Sequence, residues 1–175
     1  MNWIVRDVEQ RDRDAVLALV QEAFTGDGRD GHEEVDIVEA TWRLAASPEG
    51  LDLVAANQGR VVGHALGARG DLAGRTLVAV APLAVAPPWQ GRGVGKALME
   101  EMLRRADAQA WPAVVLLGAP AYYGRFGFEP SGPLGITYPP VGHDNPHFQV
   151  RRLSHFDPSL RGEFMYCWEQ PESAS

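Results

Sequence analysis

Leu83-Ala-Val-Ala-Pro-Pro-Trp-Gln-Gly-Arg-Gly-Val-Gly-Lys-Ala-Leu98 decides the reading of this chain: a β-like apolar run ends in prolines, crosses a glycine cluster and opens an amphipathic helix. Gly91, Gly93 and Gly95 carry no side chains where backbone N–H groups must converge, and the first turn of the following helix adds unpaired donors and the positive end of its dipole. Such a segment is a cradle for a pyrophosphate, to which Arg92 and Lys96 add charge. Two nucleotide-binding patterns fail on it. A P-loop would need glycine where Gln90 stands and Ser or Thr where Ala97 stands, and G-x-G-x-x-G meets Lys96 or Leu98 at its last glycine. The pattern that survives is Q-x-x-G-x-G, Gln90-Gly-Arg-Gly93-Val-Gly95.

Working outward, Leu77 to Val85 reads as a strand interrupted by Pro82, which removes a ladder donor and implies an edge, a bulge or a splayed pairing. Downstream, a helix from about Gly93 to Ala110 places Val94, Leu98, Met102 and Ala106 on one face, with Glu100–Arg104 and Glu101–Arg105 as i,i+4 pairs on the other. Pro112 resets the chain for the strand Ala113 to Leu117, after which stands Tyr122-Tyr-Gly-Arg-Phe-Gly-Phe128. In the first half, a strand at Asn2 to Arg6 precedes a helix capped by Asp12 with the stripe Val16, Leu17, Val20, Ala23 and Phe24. The glycine spacing of Thr25 to Gly31 predicts a flexible loop, and Val35, Val38, Trp42 and Ala45 predict a second helix ended by Ser47-Pro48. Leu51 to Ala56 and Val61 to Leu66 form a hairpin around Asn57-Gln-Gly-Arg60. Short strands at 134–138, 147–153 and 164–168 follow, and the tail 171–175 is expected to be flexible. Periodicity predicts mixed α and β structure in a single domain over residues 1–170.

The chain of 175 residues, 45% hydrophobic and 22% charged, is long enough for one substantial core. It has no run of eighteen apolar residues, its start reaches charge at Arg6, too soon for a signal peptide, and the single Cys167 makes no internal disulfide. A cytoplasmic protein with no membrane partner is expected. The net charge of −7 weighs against nucleic acid and suits a cationic amine substrate. His143, His147 and His155 are irregularly spaced, and His32-Glu-Glu-Val-Asp lacks the second histidine of H-E-x-x-H, so no metal site is expected.

Gln90–Gly95 and Tyr122–Phe128, about thirty residues apart and each following a strand, resemble the two signatures of the GCN5-related N-acetyltransferase (GNAT) family. With Leu117-Gly-Ala-Pro-Ala121 ahead of the second, the chain is similar to the YhbS-like branch of predicted acetyltransferases. The resemblance implies an α/β (α+β) GNAT fold, with a central mixed, mostly antiparallel sheet, two splayed strands and flanking helices. It implies acetyl-CoA (CoA) as cofactor and acyl transfer, most simply acetyl transfer, to a primary amine of a small molecule or peptide by direct attack in a ternary complex. Backbone groups of Leu83, Ala84 and Val85 would serve the oxyanion and the pantetheine arm, and Gln90, Gly91, Arg92, Gly93, Val94, Gly95 and Lys96 the pyrophosphate. Tyr123 aligns with the family's second aromatic and would be the general acid, in contact with the cofactor. Glu33 or Glu34, at the start of the second helix, would be the base, although acidic residues there also simply favour the helix dipole. The asparagine that the family often places before the tyrosine is missing from Leu117–Ala121. Homodimers occur among relatives. A rival reading is a catalytically weak CoA-binding regulatory or interaction module.

Overall fold

Arg60–Leu72, thirteen residues, and Arg75–Val85, eleven, are the two longest strands in a computed structural model that describes residues 2–171. The elements in chain order are β1 (Ile4–Asp7), α1 (Arg13–Phe24), β2 (Thr25–Gly26), β3 (Arg29–Asp30), α2 (His32–Arg43), β4 (Asp52–Asn57), β5 (Arg60–Leu72) and β6 (Arg75–Val85). They continue with α3 (Val94–Ala108), β7 (Ala113–Leu117), α4 (Pro120–Tyr123), β8 (Glu129–Pro130), β9 (Ile136–Thr137), β10 (Phe148–Arg152) and β11 (Gly162–Tyr166). Two compact units emerge. One comprises the residues up to Gly67 with Val80–Arg105, the other Ala68–Ala79 with the residues from Ala106 on.

In the first unit β1 pairs antiparallel with β4, and β4 antiparallel with β5. The β4–β5 register shifts between Ala55 and Ala56, whose partners are Gly63 and Val61. Because side chains alternate along a strand, this bulge flips the parity of β5 and lets Val61 share a face with Leu66. Both join Val54 and Ala84 in a cluster with Val16, Leu19 and Val20 of α1 and Val38 of α2. The opposite face of β5 carries Gly63 and Gly67, and α3 lies on it: a Cβ on Gly63 would come within 2.7 Å of Val94 Cγ1 and 2.9 Å of Leu98 Cδ1. The bare strand is what allows the cradle helix to sit this close.

In the second unit β7 is parallel to β6 at Val78↔Val114 and Ala79↔Val115 and antiparallel to β10, which in turn pairs antiparallel with β8. β11 runs antiparallel to the end of β5 and parallel to β9. An aromatic core of Tyr138, Phe148, Phe164 and Tyr166 has successive ring centroids 5.0–5.8 Å apart. The strands are therefore mixed and mostly antiparallel, as expected. No helix among the described residues is long and apolar enough to cross a membrane.

Several local expectations are corrected. Thr25–Asp30 is a small hairpin rather than a flexible loop: Asp27 and Gly28 both take positive φ (51° and 81°), the type I′ signature of an Asp-Gly turn, and Thr25 Oγ1 donates to the carbonyls of Gln21 and Asp30. α2 stops at Arg43, before Ser47-Pro48, because Ala45 adopts φ +49° while Ala45 and Ala46 N–H donate to the Trp42 and Thr41 carbonyls. That is a Schellman end with alanine where glycine is usual. α3 closes the same way at Ala110, whose φ is +63°, with Trp111 N–H on the Ala106 carbonyl. The peptide before Pro82 is cis.

Of the two expected i,i+4 pairs on α3, Glu101–Arg105 forms and Glu100–Arg104 does not. Glu100 faces Lys96, and Glu101 holds both Arg104 (2.7 Å) and Arg105 (2.7 Å). Arg105 continues to Asp7 and to the Gly50 carbonyl, tying the helix to the end of β1 and to the turn before β4. Hydrogen bonding from Arg104 outweighs burial and, with Arg105, holds the Glu101 carboxyl at about 2. A folded-state value below the ordinary 4.5 means stability that is fully present above that value and is lost as pH falls toward 2. Glu101→Gln is expected to lower denaturant stability at pH 6 and to flatten its fall between pH 4.5 and pH 2; urea melts of both proteins across that range check it.

Candidate functional site

The cradle forms as the glycine pattern requires. Gly91 and Gly93 take φ +70° and +88°, and α3 begins immediately after them at Val94. The first intrahelical bond is Ala97 N–H to the Gly93 carbonyl at 3.0 Å, so the N–H groups of Val94, Gly95 and Lys96 start the helix without intrahelical acceptors. The approach is open: a Cβ on Gly91 would meet nothing within 4 Å, and one on Gly93 only the Trp3 ring at 3.9 Å. Val94 is buried and anchors the turn, whereas Arg92 and Lys96 are exposed. Arg92 lies over the Trp89 ring at 5.9 Å, and Trp89 meets Trp3 edge to face at 6.4 Å. The Gln90 Nε2 donates back to the Val85 carbonyl at 3.0 Å. It braces the loop against the end of β6, leaving the backbone donors to face a ligand. The residues present suit a diphosphate: convergent N–H groups, a positive helix end and bare glycines.

In the same unit, Leu83, Ala84 and Val85 end β6, and the Ala86 N–H donates to the Val62 carbonyl of β5 at 3.0 Å. Glu33 and Glu34 fall in the first turn of α2. Glu33 is exposed, but Glu34 is buried and engaged by the Arg29 guanidinium from the small hairpin. That ion pair occupies the Glu34 carboxylate and argues against a free base there. Gly31, at φ +73°, admits no side chain, since a Cβ would lie 2.4 Å from the Gln21 carbonyl oxygen. The α1–α2 connection is thus tightly specified.

In the second unit the aromatic signature folds into α4 and a 3-10 turn, Gly124–Phe126. Tyr123 packs edge to face on Tyr122 (4.9 Å) and Phe128 (6.0 Å), and its ring covers Gly118, where a Cβ would come within 2.4 Å. Gln149, buried on β10, donates to the Gly118 carbonyl at 3.0 Å and holds that glycine in place. No hydrogen bond among the described residues occupies the Tyr123 hydroxyl. Burial, reinforced by Tyr122, pushes the Tyr123 phenol up to about 12, so it is firmly protonated at neutral pH. Tyr122 is held differently, under the Arg125 guanidinium at 4.6 Å with Arg125 Nε on its carbonyl.

One polar group was missed by the reading of motifs. His64 lies in β5, fully buried, with its Nε2 2.8 Å from Asp52, whose other oxygen accepts the Trp42 indole N–H at 2.8 Å. A histidine inside the apolar run Val61-Val-Gly-His-Ala-Leu66 was the available signal.

Comparison with known proteins bears on the whole constellation. The family model described as the acetyltransferase (GNAT) family matches residues 13–128. The uncharacterised N-acetyltransferase YjhQ of Escherichia coli K12 is 34% identical over 112 residues, 61% of this chain and 62% of YjhQ. The uncharacterised N-acetyltransferase YhbS of the same strain is 37% identical over 115 residues, 64% of this chain and 67% of YhbS. The crystal structure of Escherichia coli YhbS in complex with CoA superposes with a TM-score of 0.83 at 30% identity, covering 95% of this chain and 90% of that one. A GNAT acetyltransferase from Brucella melitensis in complex with acetyl-CoA gives 0.77 at 26% identity, covering 94% and 96%.

Proposed function

The chain belongs to the GNAT acetyltransferase family, and from that premise we propose that it is an acyl-CoA-dependent N-acetyltransferase acting on a primary amine. The observation that carries the reading is the open cradle, in which the free N–H groups of Val94, Gly95 and Lys96 follow two left-handed glycines at the positive end of a fifteen-residue helix. Solved relatives bound to CoA and to acetyl-CoA agree with it. When bound, the cofactor supplies an activated acetyl thioester; the protein supplies grip, orientation and proton management. Val94, Gly95 and Lys96 hold the diphosphate, Arg92 and Lys96 add charge, and main-chain groups of Leu83, Ala84 and Val85 orient the thioester arm as an added strand and polarise its carbonyl. Tyr123 holds the proton that the departing sulfur needs. Holding both reactants in one complex contributes much of the remaining acceleration. The single Cys167 and acidic balance fit a cytosolic enzyme with a small cationic acceptor.

The test is calorimetric titration of the purified chain with CoA, followed by thiol release from acetyl-CoA in the presence of spermidine, tyramine, glucosamine and a lysine-containing peptide. Binding with amine-dependent thiol release is expected. Absence of CoA binding sinks the proposal; binding without release for any amine describes a CoA-binding module instead.

A further inference from the structure

The buried histidine of β5 has a free end. His64 Nε2 pairs with Asp52 Oδ1 at 2.8 Å, and Asp52 Oδ2 accepts the Trp42 indole N–H. Assigning the proton by these bonds puts it on Nε2 and leaves the Nδ1 lone pair unoccupied. Nδ1 is the buried side-chain nitrogen that finds no partner among the described residues, in a residue with no exposed surface. An unpaired acceptor in the core is costly and calls for a partner or a role. The carboxylate-backed imidazole with one free nitrogen is the arrangement of a proton acceptor.

Its surroundings contain little that competes. Asp52 faces it from β4; α2 contributes the Trp42 ring, edge-on with centroids 6.4 Å apart, and Arg13 of α1 covers that indole at 4.8 Å. On the other side β6 brings Ala84: the Ala86 N–H bonds to the Val62 carbonyl, and a Cβ on Gly63 would stand 3.4 Å from the Ala84 oxygen. His64 therefore lies in the strand directly beside Leu83–Val85, where the thioester arm is held in the reading above.

We propose that His64, backed by Asp52, is the proton relay for the acceptor amine, an inference that rests on the acetyltransferase reading. The buried ring acts through a water rather than by touching substrate. The acceptor ammonium gives one proton through that water to Nδ1, the Nε2–H passes to Asp52, and Asp52, 19% exposed, returns it to solvent. The neutral amine then forms the C–N bond, the C–S bond breaks, and the second nitrogen proton balances the one that Tyr123 gives to the sulfur. Nothing is oxidised or reduced. This relay takes the place of the base sought at Glu33 or Glu34.

The test is the pH dependence of kcat for wild type, His64→Gln and Asp52→Asn with spermidine and tyramine, alongside CoA titrations of each. His64→Gln is expected to lose about 100-fold in kcat near pH 7, within the usual range for a lost acid–base group, and to recover as the amine itself turns neutral toward pH 10. CoA affinity is expected to stay within about twofold, since the cradle is untouched. Asp52→Asn is expected to move the acid limb of kcat to a different pH. A His64→Gln protein that folds, binds CoA and turns over within twofold of wild type from pH 6 to pH 9 overturns the relay and leaves the acetyltransferase reading standing. A wild type that binds CoA but releases no thiol with any of the four acceptors, spermidine, tyramine, glucosamine and the lysine-containing peptide, overturns both. Should neither variant fold, nitrogen-15 NMR of the wild-type imidazole decides: a ring whose state does not change across the acid limb of kcat overturns the relay, and one that titrates with that limb supports it.

Discussion

Gly93→Asp leaves a folded protein that binds CoA at least about a hundred-fold more weakly, roughly 2.8 kcal/mol at about 1.4 kcal/mol per decade. Gly93 occupies the position just before the first turn of α3, its carbonyl receiving the Ala97 N–H, at φ +88°. A side chain there costs about 1–2 kcal/mol in left-handed strain. Aspartate at a helix N-cap returns about 1 kcal/mol by accepting from the second or third N–H of the helix, so the fold survives. The same bond removes the diphosphate's binding site. The carboxylate takes a donor that Gly95 or Lys96 would offer, and sets a negative charge where the ligand brings its own; two such charges 4 Å apart near a protein surface repel by about 4 kcal/mol. Calorimetry against CoA with a thermal melt as the folding control checks it. Gly91→Ala is the contrast: a Cβ there meets no atom within 4 Å, so only strain is added and binding falls by less than tenfold. Equal losses in the two variants, or Gly93→Asp within threefold of wild type, would remove the helix terminus from CoA recognition.

The cradle was legible because its chemistry is a backbone chemistry that only glycine permits, so the residues themselves report the geometry: Gly91 and Gly93 take the positive φ their spacing requires. The same logic reads the β4–β5 hairpin, whose Gln58-Gly59 turn has φ +48° and +82°. It should have read Asp27-Gly28 too, and there the abundance of nearby glycines masked a specific turn signal. Helix ends were less legible, because Ala45 and Ala110 stand in the left-handed positions that glycine usually marks. Local Schellman bonds, Ala46 N–H to the Thr41 carbonyl and Trp111 N–H to the Ala106 carbonyl, hold them there, and no residue type announces them. Glu34 illustrates a second limit. Its place in the first turn of α2 is visible in the sequence, but its engagement by Arg29 depends on the hairpin folding back. His64 was hidden for the opposite reason: no motif contains it, and its meaning lies in the cross-strand partner Asp52, which only the β4–β5 register supplies.

Tyr123→Phe is expected to lower kcat about 100-fold, the low end for a lost general acid, while the dissociation constant of acetyl-CoA changes by less than twofold. The phenol carries this burden under an unusual condition. Desolvation in the ring cluster with Tyr122 and Phe128 lifts it to about 12, which guarantees the proton at neutral pH but makes it a poorer acid than an exposed tyrosine. Against a thiolate of ordinary pKa about 8.5, proton transfer would be uphill by about 3.5 units, or roughly 5 kcal/mol. The transfer becomes balanced only if the departing sulfur is equally deprived of water, since burial raises the proton affinity of thiolate and phenolate alike. Tyr123 should thus assist late, after the C–S bond has largely broken, and its contribution should shrink when the leaving thiol is more acidic. Acetyl transfer from an acetylated arylthiol analogue of the cofactor is expected to show a Tyr123→Phe deficit several-fold smaller than acetyl-CoA does. The raised value also sets the alkaline limit: the group is lost only as pH approaches 12, so kcat should hold level from pH 8 to pH 10. Tyr122→Phe, which keeps the ring contacts, should stay within threefold of wild type. Wild-type turnover in Tyr123→Phe, or equal deficits with both leaving groups, would assign the protonation of sulfur to water and leave the tyrosine a packing role over Gly118.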